Sequence, residues 1–275
     1  MANTIDKAFV EAFKSNVLML CQQKPSRLRP NVSEMTVKAE IANIERLGAV
    51  EAVEKNSRHT PTPVLDAPHS RRRFGMKDYQ WADLIDVEDE IRILISPKSD
   101  YAQAASWSMN RAYDKLIIDS MGGNATDGDG ASVALPAGQK VATTGMTMDT
   151  VLAAKQILDE NEVDHSDRFI ACKADAMMAM LGTTEVASSD FNTIKALVQG
   201  EFKTWLGFTW ITTELLPDDT AYAWHKSGIR LGVGADITTR IDTRLDVSMA
   251  TQVYARFTAG ATRLEEEKVV EMSLA

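Results

Sequence analysis

Four histidines, two cysteines and several dense charge clusters are the groups of this 275-residue chain that could do chemistry. His59, His69, His165 and His225 show neither HxxxH nor HExxH spacing, so no helix turn would aim two imidazoles at one zinc ion. The run DGDG at 127–130 has the opening carboxylates of a calcium loop but lacks the later glutamate, and reads as a plain turn. Cys172 and His165 could act as nucleophile and base, yet Cys172 falls in an apolar run, where a core thiol is the ordinary outcome. GIRLGVGAD at 228–236 matches neither GxGxxG nor the phosphate-gripping GK[ST] pattern, so a tight turn or bulge is expected there. The residues thus point to no catalytic group, no metal and no cofactor.

The arginine run Arg71, Arg72 and Arg73, with Arg58 upstream, admits three readings: phosphate contacts, a solvated charged face, or contact with acidic groups of another copy. The charge distribution favours the third. Residues 24–73 carry ten basic and six acidic groups, whereas residues 74–275 carry eighteen basic and thirty-one acidic, so a basic early segment precedes an acidic body. A nucleic-acid-binding module would want a basic body instead. A second dense cluster, Phe202, Trp205, Phe208 and Trp210 around Gly207, offers either a stacking platform or a bent core strand, and the bent strand is the better reading.

The elements that would position these groups follow from periodicity. Ile5, Phe9, Phe13, Val17 and Leu20 predict an amphipathic helix over 5–22, stopped by Pro25 and Pro30; with no neighbour to cover its stripe, it reads as an arm. Alternation predicts extended segments over 32–44 and 77–85. Between them lies a Pro-, Arg- and His-rich stretch with little to bury, which marks an extension or protruding hairpin. Ser96 and Pro97 open a long helix, with Tyr101, Ala105, Met109, Ala112 and Leu116 on one face and Gly122 and Gly123 at its end. A glycine-rich loop with two short strands comes next, then a helix from Met148 to Glu160, an apolar strand from Arg168 to Ala174, and a Met-rich helix ending at Gly182. A further helix is capped by Ser189 and Asp190 and ends at Gly200. The last third reads as strands over 237–241, 252–257 and 268–272, with a helical piece over 224–230.

Together these elements make an α+β chain of ordinary globular composition, 44% hydrophobic and 25% charged. No apolar run reaches the roughly 20 residues of a membrane span, and the charged start is unlike a signal peptide. Two distant cysteines suit a reducing compartment, so synthesis in a cytoplasm is expected.

Five stretches in this order, SRLRP, SRHTPTPVLDAPHSRRRF, the run from DYQWADLID through the long helix to SMGG, SSDFNTIKALVQGEFKTWLGFTWITTELLP, and YAWHKSGIRLGVGADI followed by GATRLEEEKVV, resemble major capsid proteins of tailed double-stranded DNA bacteriophages with the Hong Kong 97 fold. The resemblance implies an N-terminal arm over 1–33, an extended loop over 34–86, a peripheral domain with a spine helix over 87–145, an axial domain over 146–248 and peripheral return strands over 249–275. It implies a virion shell assembled in the bacterial host cytoplasm from many copies as hexamers and pentamers. It also implies a portal, a separate scaffolding protein or none since the arm begins near Met1, a possible cement protein, and double-stranded DNA enclosed without sequence-specific binding or any membrane. An encapsulin-like nanocompartment shares the architecture and stands as the alternative, with a soluble enzyme behind it. In this frame Arg58, Arg71, Arg72 and Arg73 lie on the loop and meet Glu88, Asp89 or Glu90 of an adjacent subunit, while the aromatic cluster is axial-domain core. No residue pair for crosslinking is indicated.

Overall fold

A computed structural model describes residues 22–59, 61, 62, 64–86, 98–182 and 204–275. Apart from Gln22, the expected arm helix lies outside these residues, as do the cap at Ser96 and Pro97 and the helix over 189–200. The chain divides into two compact units. One takes the chain to Ser26 with Lys77–Asp114 and Gly234–Ala259; the other takes Arg27–Met76, Lys115–Val233 and Gly260–Ala275.

In chain order, Pro30 sits in a short 3-10 turn, Arg29–Asn31, that ends the N-terminal strap and leads into β1 (Ser33–Thr36). The extended segment expected over 32–44 is in fact two strands. It breaks after β1 and resumes as β2 (Ile41–Leu47), which forms a long hairpin with β3 (His69–Gly75). The next strand, β4 (Lys77–Ile85), matches the expected second extended segment. Helix α1 (Lys98–Gly122) has 25 residues, about 37 Å of rise. Its stripe is Ala105, Met109, Tyr113, Ile117 and Met121, spaced by four, so Tyr113 rather than Ala112 carries the face. Gly123 ends it by donating its N–H to the Asp119 carbonyl at 3.0 Å.

Short strands β5 (Ala125–Asp127), β6 (Ser132–Val133) and β7 (Lys140–Ala142) follow, the first two turning through the DGDG loop. Thr147 then caps α2 (Met148–Glu160), accepting from the Thr150 amide while the Thr150 hydroxyl reaches back to the Thr147 N–H. The core strand β8 (Arg168–Cys172), the short helix α3 (Ala174–Leu181), β9 (Thr204–Trp205) and β10 (Phe208–Thr212) come next. Leu206 and Gly207, both at positive φ, make the two-residue turn between β9 and β10 that matches the natural twist of a hairpin. The expected helical piece over 224–230 is corrected. Trp224 belongs to β11 (Thr220–His225), and only Lys226–Gly228 coils, as a single 3-10 turn. The long β12 (Ile229–Thr243), β13 (Thr251–Arg263) and β14 (Val269–Ser273) complete the chain.

In the second unit, six strands lie in the order β7, β14, β11, β8, β10 and β9. Strand β8 is buried along its whole length because it sits centrally, parallel to β10 and antiparallel to β11. Val151, Ala154 and Leu158 of α2 and Met177 and Met180 of α3 cover one face together with Ile170, Cys172, Phe208 and Trp210. Arg168 closes the α2 end of this core: buried itself, it donates to Asp159 at 2.6 Å and to the Asp164 carbonyl at 2.8 Å. Strand β14 pairs with β11 and β7 and so belongs to this sheet.

In the first unit, β4 runs antiparallel to β13 from Ile85 opposite Thr251 to Lys77 opposite Ala259. Phe257 is the centre of its packing, stacked between Tyr79 at 4.7 Å and Tyr113 of α1 at 4.1 Å. The strap before Ser26 is tied to the same helix. Gln23 and Ser26 donate to buried Asp114, and Arg111 donates to Gln22 Oε1 at 2.8 Å and to the Gln23 carbonyl at 3.2 Å.

The central sheet predicts an alkaline limit to stability. Burial first, then Asp175 and Glu214, pushes the Cys172 thiol up from 9.0 to about 12. Burial, with Glu271 and Asp119 adding, pushes the Tyr222 phenol up from 10.0 to about 12. Both groups are largely neutral in either state below about pH 8; above it the unfolded chain ionises first, so their contribution falls as pH rises towards 12. Each group adds a slope of up to about 1.4 kcal/mol per pH unit in that window. Urea denaturation of a Cys21→Ser background at pH 8 to 11 should show the decline, and Cys172→Ala should flatten it. In the same background, maleimide should label the thiol only after unfolding.

Candidate functional site at the hairpin root

The β2–β3 hairpin has one face turned to the body and one turned away. Their register sets Ala42 opposite Phe74, Ile44 opposite Arg72 and Glu45 opposite Arg71. Alternation therefore puts Ala42, Ile44, Arg46, Arg72 and Phe74 on the inner face, and Asn43, Glu45, Arg71 and Arg73 on the outer. The inner face has a small core of its own, Val37, Ala42 and Phe74, with Met35, Ile44 and Met76 beside it. From Leu47 at the end of β2 onward the hairpin exposes Leu47, Val50, Val53, Val64 and Leu65, with Val64 95% accessible.

Two glycines seat the hairpin on the body. A methyl group on Gly232 would lie 2.6 Å from Phe74 Cε2 and 3.0 Å from Val37 Cγ2, and one on Gly260 would strike the Gly75 carbonyl and the Phe74 ring. This corrects the expectation of a turn or bulge in GIRLGVGAD. The segment from Ile229 onward is continuous strand, and its Gly232 leaves the room that the Phe74 ring occupies against the backbone. Thr36 pairs with Val233 at the same place, and Val37 donates to the Val233 carbonyl at 3.0 Å.

Behind Phe74 sits a buried charge cluster. Arg72 Nη2 donates to Glu266 Oε1 at 2.5 Å, Arg46 Nη1 lies 3.6 Å from Glu266 Oε2, and Arg263 Nε lies 3.8 Å from Glu266 Oε1. Arg263 is further held by the Met121 and Gly123 carbonyls at 2.9 Å and the Val133 carbonyl at 3.1 Å, and burial lowers its pKa. Arg46 also donates to the Leu264 carbonyl at 2.8 Å. One carboxylate thus ties both hairpin strands to the turn that follows β13.

The residues singled out from sequence fall in different places. Arg72 is 1% exposed and spent on Glu266 of its own chain, so it is corrected as a candidate contact between subunits: its place in the strand alternation turns it inward beside Phe74. Arg71 is exposed and pairs with Glu45 at 2.5 Å, Arg73 is half-buried, and Arg58 is exposed in the turn at the hairpin tip. Glu88, Asp89 and Glu90 lie outside the described residues, as does Phe202. Phe208 and Trp210 are core, and Trp205 is half-buried with its ring 6.2 Å from that of Trp210.

Cys172 is enclosed in the sheet, whereas His165 is exposed and faces Asp159 at 3.4 Å. His225 Nδ1 is occupied by Ser227 at 2.9 Å, and burial, with Lys268 adding, lowers its pKa. Among the described residues no group of three or more His, Cys, Asp or Glu converges. Also among them, no helix is long and apolar enough to cross a membrane. Sequence reasoning missed Arg46, Phe74, Arg263 and Glu266. The available signal was alternation in RRRF, which sets Arg72 and Phe74 on one face and asks for a buried acid.

A family model described as phage capsid protein matches residues 5–275. No curated protein matches the chain. Among solved structures, the chain resembles the capsid of cyanophage P-SCSP1u at 14% identity and TM-score 0.80, covering 98% of this chain and 94% of that one. It resembles a chain of Mycobacterium phage Che8 at 16% identity and TM-score 0.74, covering 96% and 97%. It resembles the capsid of a native GTA particle at 10% identity and TM-score 0.72, covering 98% and 96%. At these identities the likeness is one of fold.

The root geometry makes its own prediction. Gly232→Ala should cost about 1–3 kcal/mol by overpacking against Phe74, whereas Gly138→Ala, with no described residue within 4 Å of the added methyl, should leave the urea midpoint nearly unchanged. Glu266→Ala should cost about 3–5 kcal/mol by leaving the buried guanidiniums without their carboxylate. Equal midpoints for the Gly232 and Gly138 variants would contradict the seating of Phe74.

Proposed function

Because the chain belongs to the phage capsid protein family, and as a major capsid protein forms an icosahedral shell in many copies, we propose that the β2–β3 hairpin is its reach toward neighbouring subunits. The observation that carries this reading is the contrast along the hairpin. Its root is packed and ion-paired, while Leu47, Val50, Val53, Val64 and Leu65 beyond the root are exposed. Apolar side chains on a protrusion cannot be covered by the hairpin itself, so a second copy of the chain is the natural cover, and repetition of that contact closes the shell.

Charge supports the same reading. Arg58 and Arg71 are exposed on the basic extension, and the rest of the chain is acidic. Glu88, Asp89 and Glu90 of an adjacent subunit are the proposed acceptors, with Arg73 at the margin. In this reading the hairpin, 41–75, is the extended loop, the unit containing β4, β13 and the first part of α1 is peripheral, and the six-stranded sheet is axial. Portal, scaffolding and cement proteins and the enclosed double-stranded DNA are the further partners. The acidic body suits a container that does not grip its genome, and assembly takes place in the bacterial host cytoplasm. The subunit acts as a structural protein and carries out no catalysis.

The test uses residues that the chain's own fold does not need. The exposed Arg71–Glu45 pair is worth about 0–1 kcal/mol, so Arg58→Glu with Arg71→Glu should leave circular dichroism and Tm of the unassembled subunit unchanged. Shells should disappear from electron micrographs. Val53→Asp with Val64→Asp should do the same. Normal shells from both double variants would reject the hairpin as the linking element.

A further inference from the structure

We propose that the hairpin root binds a small tetrahedral oxyanion, of the phosphate or sulfate class, between Arg46, Arg72 and Arg263. Three guanidiniums meet a single carboxylate there. The nearby acids are already engaged, Glu265 by Lys268 at 2.9 Å and Glu271 by Lys140 at 3.2 Å, although Glu271 acts weakly on Arg263 from a distance. The cluster therefore carries an excess of positive charge in a place largely closed to solvent. Arginine does not escape this by losing its proton, so the burial has to be offset by an anion.

The donors point the same way. Arg72 Nε and Nη1, Arg46 Nε and Arg263 Nε are buried with no hydrogen-bond partner among the described residues, and Arg72 as a residue is 1% exposed. These N–H groups come from three guanidinium planes on different strands, an arrangement that an ion with several acceptor oxygens satisfies better than a spherical chloride. Access is from the side of Arg46 and Glu266, whose side chains are 23% and 11% exposed. An ion held there would fasten β2 and β3 to the segment after β13 more firmly than Glu266 alone.

The experiment is thermal unfolding of the full unassembled chain, titrated with sodium phosphate, sodium sulfate, sodium chloride at matched ionic strength, and a short DNA duplex. Phosphate and sulfate should raise Tm along a saturating curve, by roughly 3–6 °C at ten times the dissociation constant, and chloride and duplex should not. Non-specific stabilisation by excluded salts neither saturates nor depends on one side chain. Arg72→Met should remove the saturating part; if that variant does not fold, Arg46→Met serves in its place. No saturating shift in the wild type, the same shift in the variant, or a response to duplex alone would overturn the proposal.

Discussion

The ring of Phe74 lies on the bare backbone of Gly232 and Gly260, and the contacts around it are what hold the hairpin. The hairpin has little core of its own, so its direction is set where it leaves the body. Phe74 supplies the apolar part of that joint and Glu266 the electrostatic part, with Arg46 and Arg72 drawn in from the two hairpin strands. A contact of this kind is unforgiving in both directions: a larger residue under Phe74 overpacks it, and loss of the carboxylate strands buried charge.

The six-stranded sheet is the fixed base for this joint. Strand β8 is buried from end to end, and α2 and α3 cover one side of it. Gly228 and Lys268 approach closely enough that a methyl group on the glycine would meet Lys268 Cβ at 2.7 Å, which locks the start of β12 to the turn carrying Glu266. Rigidity in the sheet thereby becomes a defined geometry at the hairpin root. On the role proposed for the hairpin, small errors of angle would accumulate over the many copies of a shell, and a defined joint would limit them.

Much of this was legible along the chain because it is local. The long helix, the helix beginning at Met148, the apolar run at β8 and the bend at Gly207 all follow from neighbours in sequence. Of the aromatic cluster around Gly207, Phe208 and Trp210 are core residues beneath the helices. The arginine run was misread in part for the opposite reason. Three adjacent arginines look alike in sequence, and only strand alternation against a body separates buried Arg72 from exposed Arg71.

By itself the sequence determined the α+β class, the long helix, the basic early segment and the resemblance that family matching supports, because periodicity, turn residues and charge segregation are properties of nearest neighbours. Tertiary structure alone decided that Gly232 and Gly260 are seats for Phe74, that Glu266 answers Arg46 and Arg72, some two hundred residues away, and that β14 joins the central sheet. Those outcomes depend on which distant backbones approach one another. A glycine or a lone acid carries no mark of its partner until the chain has brought the two together.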